Sequence, residues 1–247
     1  MAALDRDDFH GVVNALFSAW AAGQGKRRWG EKTPQHTLWW RAIREGFPDL
    51  QVVHLVRDGR DVALSYRAAH FGPKHVYHLA ERWVAYLAAA EECQAALGPD
   101  GFQLLRYEDL LREPEGELRR VCAFLGEPFD LAMLDHHHDQ APYPTDPRNE
   151  ANLRRPLLSE NIEKWRTAMS GRELRIFEAL AGGALERYGY PRAVPAARLA
   201  RWEEWSCRFV EHPPRRLLAG LRNRQAFRLL RERLRFTFLF RVGAFRS

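Results

Sequence analysis

The alternation of apolar and polar positions divides the chain into short segments with helical or strand periodicity. Residues 9–22 (FHGVVNALFSAWAA) repeat apolar positions at helical spacing and predict an amphipathic helix, followed by a polar loop over 23–30. Thr33-Pro34 predicts a helix start, with Thr as the cap and Pro in the first turn; Trp39, Trp40 and Ile43 face inward until Gly46. The β-branched run at 51–56 (QVVHLV) predicts a buried strand of the parallel type. Asp58-Gly59 turns the chain, with Gly59 permitting the tight bend, into a helix from about Arg60. Asp58 is its candidate cap, Asp61 lies in its first turn, and Val62, Ala63 and Tyr66 share a face. Residues 78–97 predict a long helix ended by Gly98-Pro99, and FQLLRY at 102–107 a second strand. Further helices are predicted near 115–125, 129–138, 159–168 and 171–188. Pro191 and Pro195 mark a linker, beyond which helical segments are predicted over 196–211 and, after Pro213-Pro214, from about 215 to 236.

Strands separated by helices predict an α/β fold, a parallel sheet flanked by helices, whose ligands gather at the C-terminal ends of the strands. No internal repeat or low-complexity segment interrupts that order. The predicted organisation is one domain over residues 1–194 and a basic helical extension over 195–247.

Composition changes the picture in three places. A chain of 247 residues that is 46% hydrophobic can bury one sizeable core. Cys93, Cys122 and Cys207 are odd in number and lack a CxxC pair, which argues against a disulfide framework or a zinc knuckle and for a reducing, cytoplasmic setting. No apolar run reaches the roughly 20 residues of a membrane span, and the N-terminus lacks a signal-peptide plan. The net charge of +6 is lopsided: residues 195–247 hold thirteen Arg and four Glu, so the rest of the chain is mildly acidic. An anion bound there is held by a few placed residues and not by a general positive field, and nucleic acid is not an expected partner of the body. With 34 Arg and only Lys26, Lys32, Lys74 and Lys164 as lysines, a lysine marks a place where a point charge is wanted.

Chemistry concentrates in His54-Leu-Val-Arg-Asp-Gly-Arg-Asp-Val-Ala-Leu-Ser-Tyr66. Arg57 leaves a strand end, and Ser65 lies on the following helix, able to point toward the same crevice. A guanidinium and a hydroxyl converging near a helix start suit a phosphate. On spacing alone, Arg57, Asp58, Arg60 and Asp61 read equally well as solvated ion pairs around a turn.

RDGRDVALS resembles the 3′-phosphate-binding motif of sulfotransferases that use the nucleotide donor PAPS (3′-phosphoadenosine 5′-phosphosulfate). Trp29-Gly-Glu-Lys-Thr-Pro-Gln-His36, Arg106-Tyr-Glu-Asp-Leu-Leu111, Cys122-Ala-Phe-Leu-Gly126 and Asn161-Ile-Glu-Lys-Trp165 follow in the family's order, in a form similar to bacterial and tyrosylprotein members. The resemblance implies a P-loop-NTPase-like sulfotransferase fold and sulfuryl transfer from PAPS to a hydroxyl or amine. It implies that Arg57 and Ser65 hold the 3′-phosphate, that Lys32 contacts the transferring group, and that Tyr107 and Arg155 contact other parts of the donor. Arg154 beside Arg155 reads as solvated, and Tyr107 reads also as a core residue at a strand end.

The sequence departs from the family pattern where members open with a strand and a Gly-rich loop for the 5′-phosphosulfate. Gly23-Gln-Gly-Lys26 does not fit that loop, so the first strand and loop are expected to be missing, and an inactive remnant is the rival reading. Pro34 stands two residues beyond Lys32, where cytosolic members carry a histidine base; Glu31 and His36 are the local substitutes. Asp135-His-His-His-Asp139 looks like a metal tract, but adjacent histidines on a helix diverge, and no metal is expected. Residues 215–240 combine Phe227, Leu230 and Leu234 with flanking Arg as an interfacial helix would, which leaves open contact with a membrane surface, nucleic acid or an acidic protein, and equally a cover over the truncated core, with Phe236-Thr-Phe-Leu-Phe240 packing back on the body.

Overall fold

The computed structural model describes residues 8–69, 72–138 and 161–211. In chain order these form α1 (Phe9–Gly23), a 3-10 helix (Pro34–Trp39), α2 (Trp40–Gly46), β1 (Val52–Val56), α3 (Gly59–Ala68) and α4 (Val76–Gly101). Then come β2 (Phe102–Arg106), α5 (Tyr107–Arg112), α6 (Pro114–Leu125), a 3-10 helix (Leu131–His138), α7 (Trp165–Ala168), α8 (Gly171–Arg187), α9 (Arg201–Trp205) and a π-helical turn (Ser206–Glu211). They fall into two compact units, one of Met1–Val56 with Tyr86–Leu158, the other of Arg57–Ala85 with Ser159–Ser247.

In the first unit β1 and β2 pair in parallel, from Val52↔Phe102 to Val56↔Arg106, among the described residues a two-stranded sheet. A parallel pair requires a long crossover, which α3 and α4 supply. Trp40, Ala90, Cys93 and Phe102 form a buried cluster with Val52, Leu97 and Leu104 against it. β1 alternates in burial and does not run buried throughout as predicted: Val53 and Leu55 are exposed while Val56 is buried. Among the described residues, one face of the pair is covered, and period-2 side chains divide between the two faces.

The helix start at Thr33-Pro34 is real but differs in kind. Pro34–Trp39 winds as a 3-10 helix, and Thr33 makes no cap, its hydroxyl donating to Glu31 Oε1 instead. The change from a 3-10 turn to α2 between the two tryptophans turns Trp39 outward (66% exposed) and Trp40 inward (7%), so the prediction that both face the core fails for Trp39. Tyr107, predicted at a strand end, opens α5. Gly98 breaks α4 as the sequence indicates, with φ 68°. Among the described residues of the predicted 159–168 segment the α-helix covers Trp165–Ala168, and that in 196–211 starts at Arg201.

The second unit is centred on α8, whose Ile176, Phe177, Ala181 and Leu185 are fully buried. Ser170 starts this helix with a reciprocal capping box: its hydroxyl accepts the Glu173 N–H, and the Glu173 carboxylate accepts the Ser170 N–H. Arg154 and Arg155, the predicted helices beyond 211 and the side chains of the histidine tract lie outside the described residues.

Candidate functional site

The stretch that carries most of the predicted chemistry lies at the start of α3 in the second unit. Asp58 caps α3 as predicted, its Oδ1 accepting the Arg60 N–H at 2.9 Å. Trp83 donates from Nε1 to the Arg57 carbonyl at 3.2 Å and fixes the residue that follows β1. Arg57 donates from Nη2 to the Asn161 carbonyl at 2.6 Å, and Nη2 stands 4.0 Å from Asp61 Oδ2 with a fifth of the side chain exposed. Ser65, one turn beyond Asp61, donates its hydroxyl to the Asp61 carbonyl at 3.1 Å and is exposed. Arg57 and Ser65 are thus both referenced to Asp61, and both remain within reach of solvent.

Asp61 itself is 1% exposed and accepts the Trp165 N–H at 2.9 Å. Burial pushes its carboxyl above the ordinary value, opposed by that N–H and by the Arg57 guanidinium. Segments 104 residues apart in the chain, Arg57–Ser65 and Asn161–Trp165, therefore interlock around one carboxylate. The second segment turns sharply to do so, with Glu163 in the left-handed region at φ 57°.

Arg60 is the residue that reading the sequence as a solvated turn misjudges. It is 1% exposed, pairs with Asp58 Oδ2 at 2.7 Å and Glu178 Oε1 at 2.8 Å, and donates to the Pro191 carbonyl at 3.0 Å. Its guanidinium lies 3.6 Å from the centre of the Trp165 ring. Glu178 also accepts the N–H groups of Ala193 and Val194, at 3.0 and 2.7 Å. A signal for this was available: Glu178 interrupts the apolar run Ile176, Phe177, Ala181, and an acid on an otherwise buried helix face requires a cation.

Gly59 is needed here for space. It is not among the glycines of positive φ, but a Cβ on it would meet Trp83 Cδ2 at 2.5 Å and Phe177 Cζ at 2.7 Å. The predicted role, freedom to turn, gives way to close approach of two rings. Gly59→Ala is expected to cost about 1–3 kcal/mol through overpacking, read as a lowered urea midpoint; an unchanged midpoint would contradict the packing.

In the first unit Lys32 stands exposed on a loop fastened at both sides. Trp29 stacks on Phe17 (4.9 Å), meets Phe47 edge-on (5.6 Å) and donates from Nε1 to Asn14 at 3.2 Å. Arg28 donates to the Leu125 carbonyl and to Gln51. Glu31 is engaged by Thr33 and, at 2.6 Å, by His36 Nδ1, while among the described residues Lys32 has no ion-pair partner. That leaves the ammonium available to an anion. Tyr107 is half-buried at the C-terminal end of β2 in the same unit.

His75 Nε2, Cys207 Sγ and a Glu211 oxygen gather within 4.8 Å of one another in the second unit. Glu211 is held by both terminal nitrogens of Arg172, at 2.6 and 3.0 Å, which draws its carboxyl down to about 2. His75 Nδ1 accepts the Tyr77 N–H, directing Nε2 to Glu211 at 3.2 Å. This geometry is a charge-compensated tie in which the carboxylate is already saturated.

A parallel α/β core of this kind is shared with sulfotransferase domains. Two solved structures share it: the sulfotransferase domain from the Synechococcus PCC 7002 olefin synthase (TM-score 0.51, 23% identity, 68% of this chain and 63% of that one), and that from the curacin biosynthetic pathway (TM-score 0.54, 16% identity, 72% and 68%). Residues 2–131 match the sulfotransferase family model, and the chain belongs to that family. It is 26% identical over 180 residues to the omega-hydroxy-beta-dihydromenaquinone-9 sulfotransferase Stf3 of Mycobacterium tuberculosis, covering 66% of this chain and 42% of that protein. It is 28% identical over 178 residues to carbohydrate sulfotransferase 3 of Mus musculus (61% and 36%). With the protein-tyrosine sulfotransferase of Drosophila melanogaster it shares 23% over 133 residues (50% and 27%). The chain therefore spans less than half the length of these relatives.

Proposed function

We propose that the chain performs sulfuryl transfer from PAPS to a hydroxyl or amine acceptor. The observation that carries the reading is the interlock of Arg57–Ser65 with Asn161–Trp165 around Asp61, which fixes a guanidinium just before α3 and a hydroxyl one turn beyond Asp61, both within reach of solvent. Arg57 and Ser65 hold the 3′-phosphate, where two charge-assisted or hydroxyl donors and the helix start favour a dianion. Lys32 holds the transferring group and takes up the charge that develops on the leaving oxygen. Tyr107 and Arg155 contact other parts of the donor. The transfer domain is residues 1–194, with the basic extension from 195 as an appendage. A cytoplasmic setting suits three unpaired, buried cysteines, and among the described residues no helix is long and apolar enough to cross a membrane.

The product nucleotide PAP, which keeps the 3′-phosphate, tests the donor site without chemistry. At about 100-fold excess over its Kd, PAP is expected to stabilise the protein by about 2.7 kcal/mol, read as a rise in Tm. Arg57→Ala abolishes the rise, and Ser65→Ala, which removes one exposed hydroxyl, reduces it. An unmodified protein whose Tm ignores PAP would end the donor-site reading. Donor-dependent sulfation of a panel of phenols, sugars, peptides and lipids then identifies the acceptor.

A further inference from the structure

The segment Arg201–Glu211 turns part of its polar surface inward, while Arg201, Glu204 and Arg208 stay exposed. Glu203, Cys207 and Glu211, spaced by four, face the second unit: Glu203 binds both terminal nitrogens of Arg175, Cys207 is fully buried, and Glu211 is held by Arg172. Trp202, Trp205 and Phe209, at spacings of three and four, share the opposite side. They are 71%, 60% and 58% exposed, and Val210 beside them is 50% exposed. The rings of Trp205 and Phe209 lie 6.0 Å apart and form one continuous apolar surface. Ion pairs hold the segment in place while its large apolar side chains face water. Burial of that surface would release the free energy of three aromatic side chains, so it suits an external apolar phase.

Charge selects that phase. Residues 212–247, which continue directly from this segment, contain ten Arg, one Glu and neither Lys nor Asp, a net charge of +9. An aromatic surface next to a strongly cationic run matches a boundary that is apolar in depth and anionic at its rim, and tryptophan is the residue type that settles at such a boundary.

We infer that Trp202, Trp205, Phe209 and Val210 form a docking surface for an anionic lipid bilayer, drawn onto it by the basic run that follows. The full chain is expected to co-sediment with vesicles of phosphatidylcholine and phosphatidylglycerol, to bind pure phosphatidylcholine weakly, and to lose binding as salt rises. The variant Trp202→Ser, Trp205→Ser, Phe209→Ser should lower the partition coefficient by about tenfold or more. Its thermal unfolding stays unchanged because the three side chains are exposed, and its response to PAP stays unchanged because the proposed 3′-phosphate contacts, Arg57 and Ser65, are left intact. Equal vesicle binding by the variant would overturn the proposal, since charge alone would then account for it. Absence of vesicle binding would also overturn it. A concentration-dependent dimer would then mark a second copy as the occupant, shielding of the two tryptophans from acrylamide the chain's own C-terminal residues, and oligonucleotide binding a nucleic acid.

Discussion

Arg60→Met is expected to lower the unfolding free energy by about 3–5 kcal/mol, enough to threaten folding at physiological temperature. The guanidinium is the cation between two carboxylates that are 6% and 0% exposed, Asp58 and Glu178. Removing it strips both carboxylates of their paired guanidinium in a low-dielectric site. It also deprives the Pro191 carbonyl of its donor and the Trp165 ring of its covering plane. Arg60→Lys should recover little of the loss. An ammonium cannot reach Asp58 through two nitrogens while also donating to Glu178 and Pro191, and it has no flat face for the indole. Urea titration of the three proteins decides the matter: a loss below about 1 kcal/mol for Arg60→Met would mean the ion network is not a structural requirement.

The second large effect is a loss of stability in acid that is traceable to one imidazole. His54 lies on β1 opposite Leu104, its ring stacked on Phe102 at 5.9 Å, and its Nε2 is buried with no hydrogen-bond partner among the described residues. Burial lowers its pKa from 6.5 to about 4. Between those values the unfolded chain holds a proton that the folded chain refuses, so stability rises with pH across the window and falls as pH drops from 6.5 toward 4. At 1.36 kcal/mol per unit, the loss attributable to His54 approaches about 3 kcal/mol at pH 4. His54→Leu should remove that slope and leave the titration of the carboxylates as the remaining acid dependence. Identical stability-against-pH curves for the two proteins would show that the imidazole titrates normally.

Both predictions concern residues inside the motif region from His54 to Tyr66, and both rest on burial that the sequence did not reveal. β1, β2, α1, α4 and the capped start of α3 were legible because each depends on local patterning: a β-branched run, a helical repeat, a Gly-Pro stop, an Asp before a helix. The family was legible because its motifs are short, ordered and rich in charged residues. The facing of Trp39 and Trp40 was not, because a 3-10 turn and an α-helix send the same position in different directions, and the junction between them is set by packing. The kind of room Gly59 provides was not legible either, since Trp83 and Phe177 approach it from elsewhere in the chain.

By itself the sequence determined the order of the main helices and strands, the family and the candidates Lys32, Arg57, Ser65, Tyr107 and Arg155. Only the tertiary structure decided which charges are buried. Arg57 and Arg60 are three residues apart and chemically identical, yet one keeps a fifth of its surface in water while the other is sealed between Asp58, Glu178 and Trp165. The same holds for Arg201–Glu211, whose helical period gave no sign that Glu203 and Glu211 would turn inward and both tryptophans outward. The desolvation of a charge depends on partners brought from tens to more than a hundred residues away, and local periodicity carries no information about them.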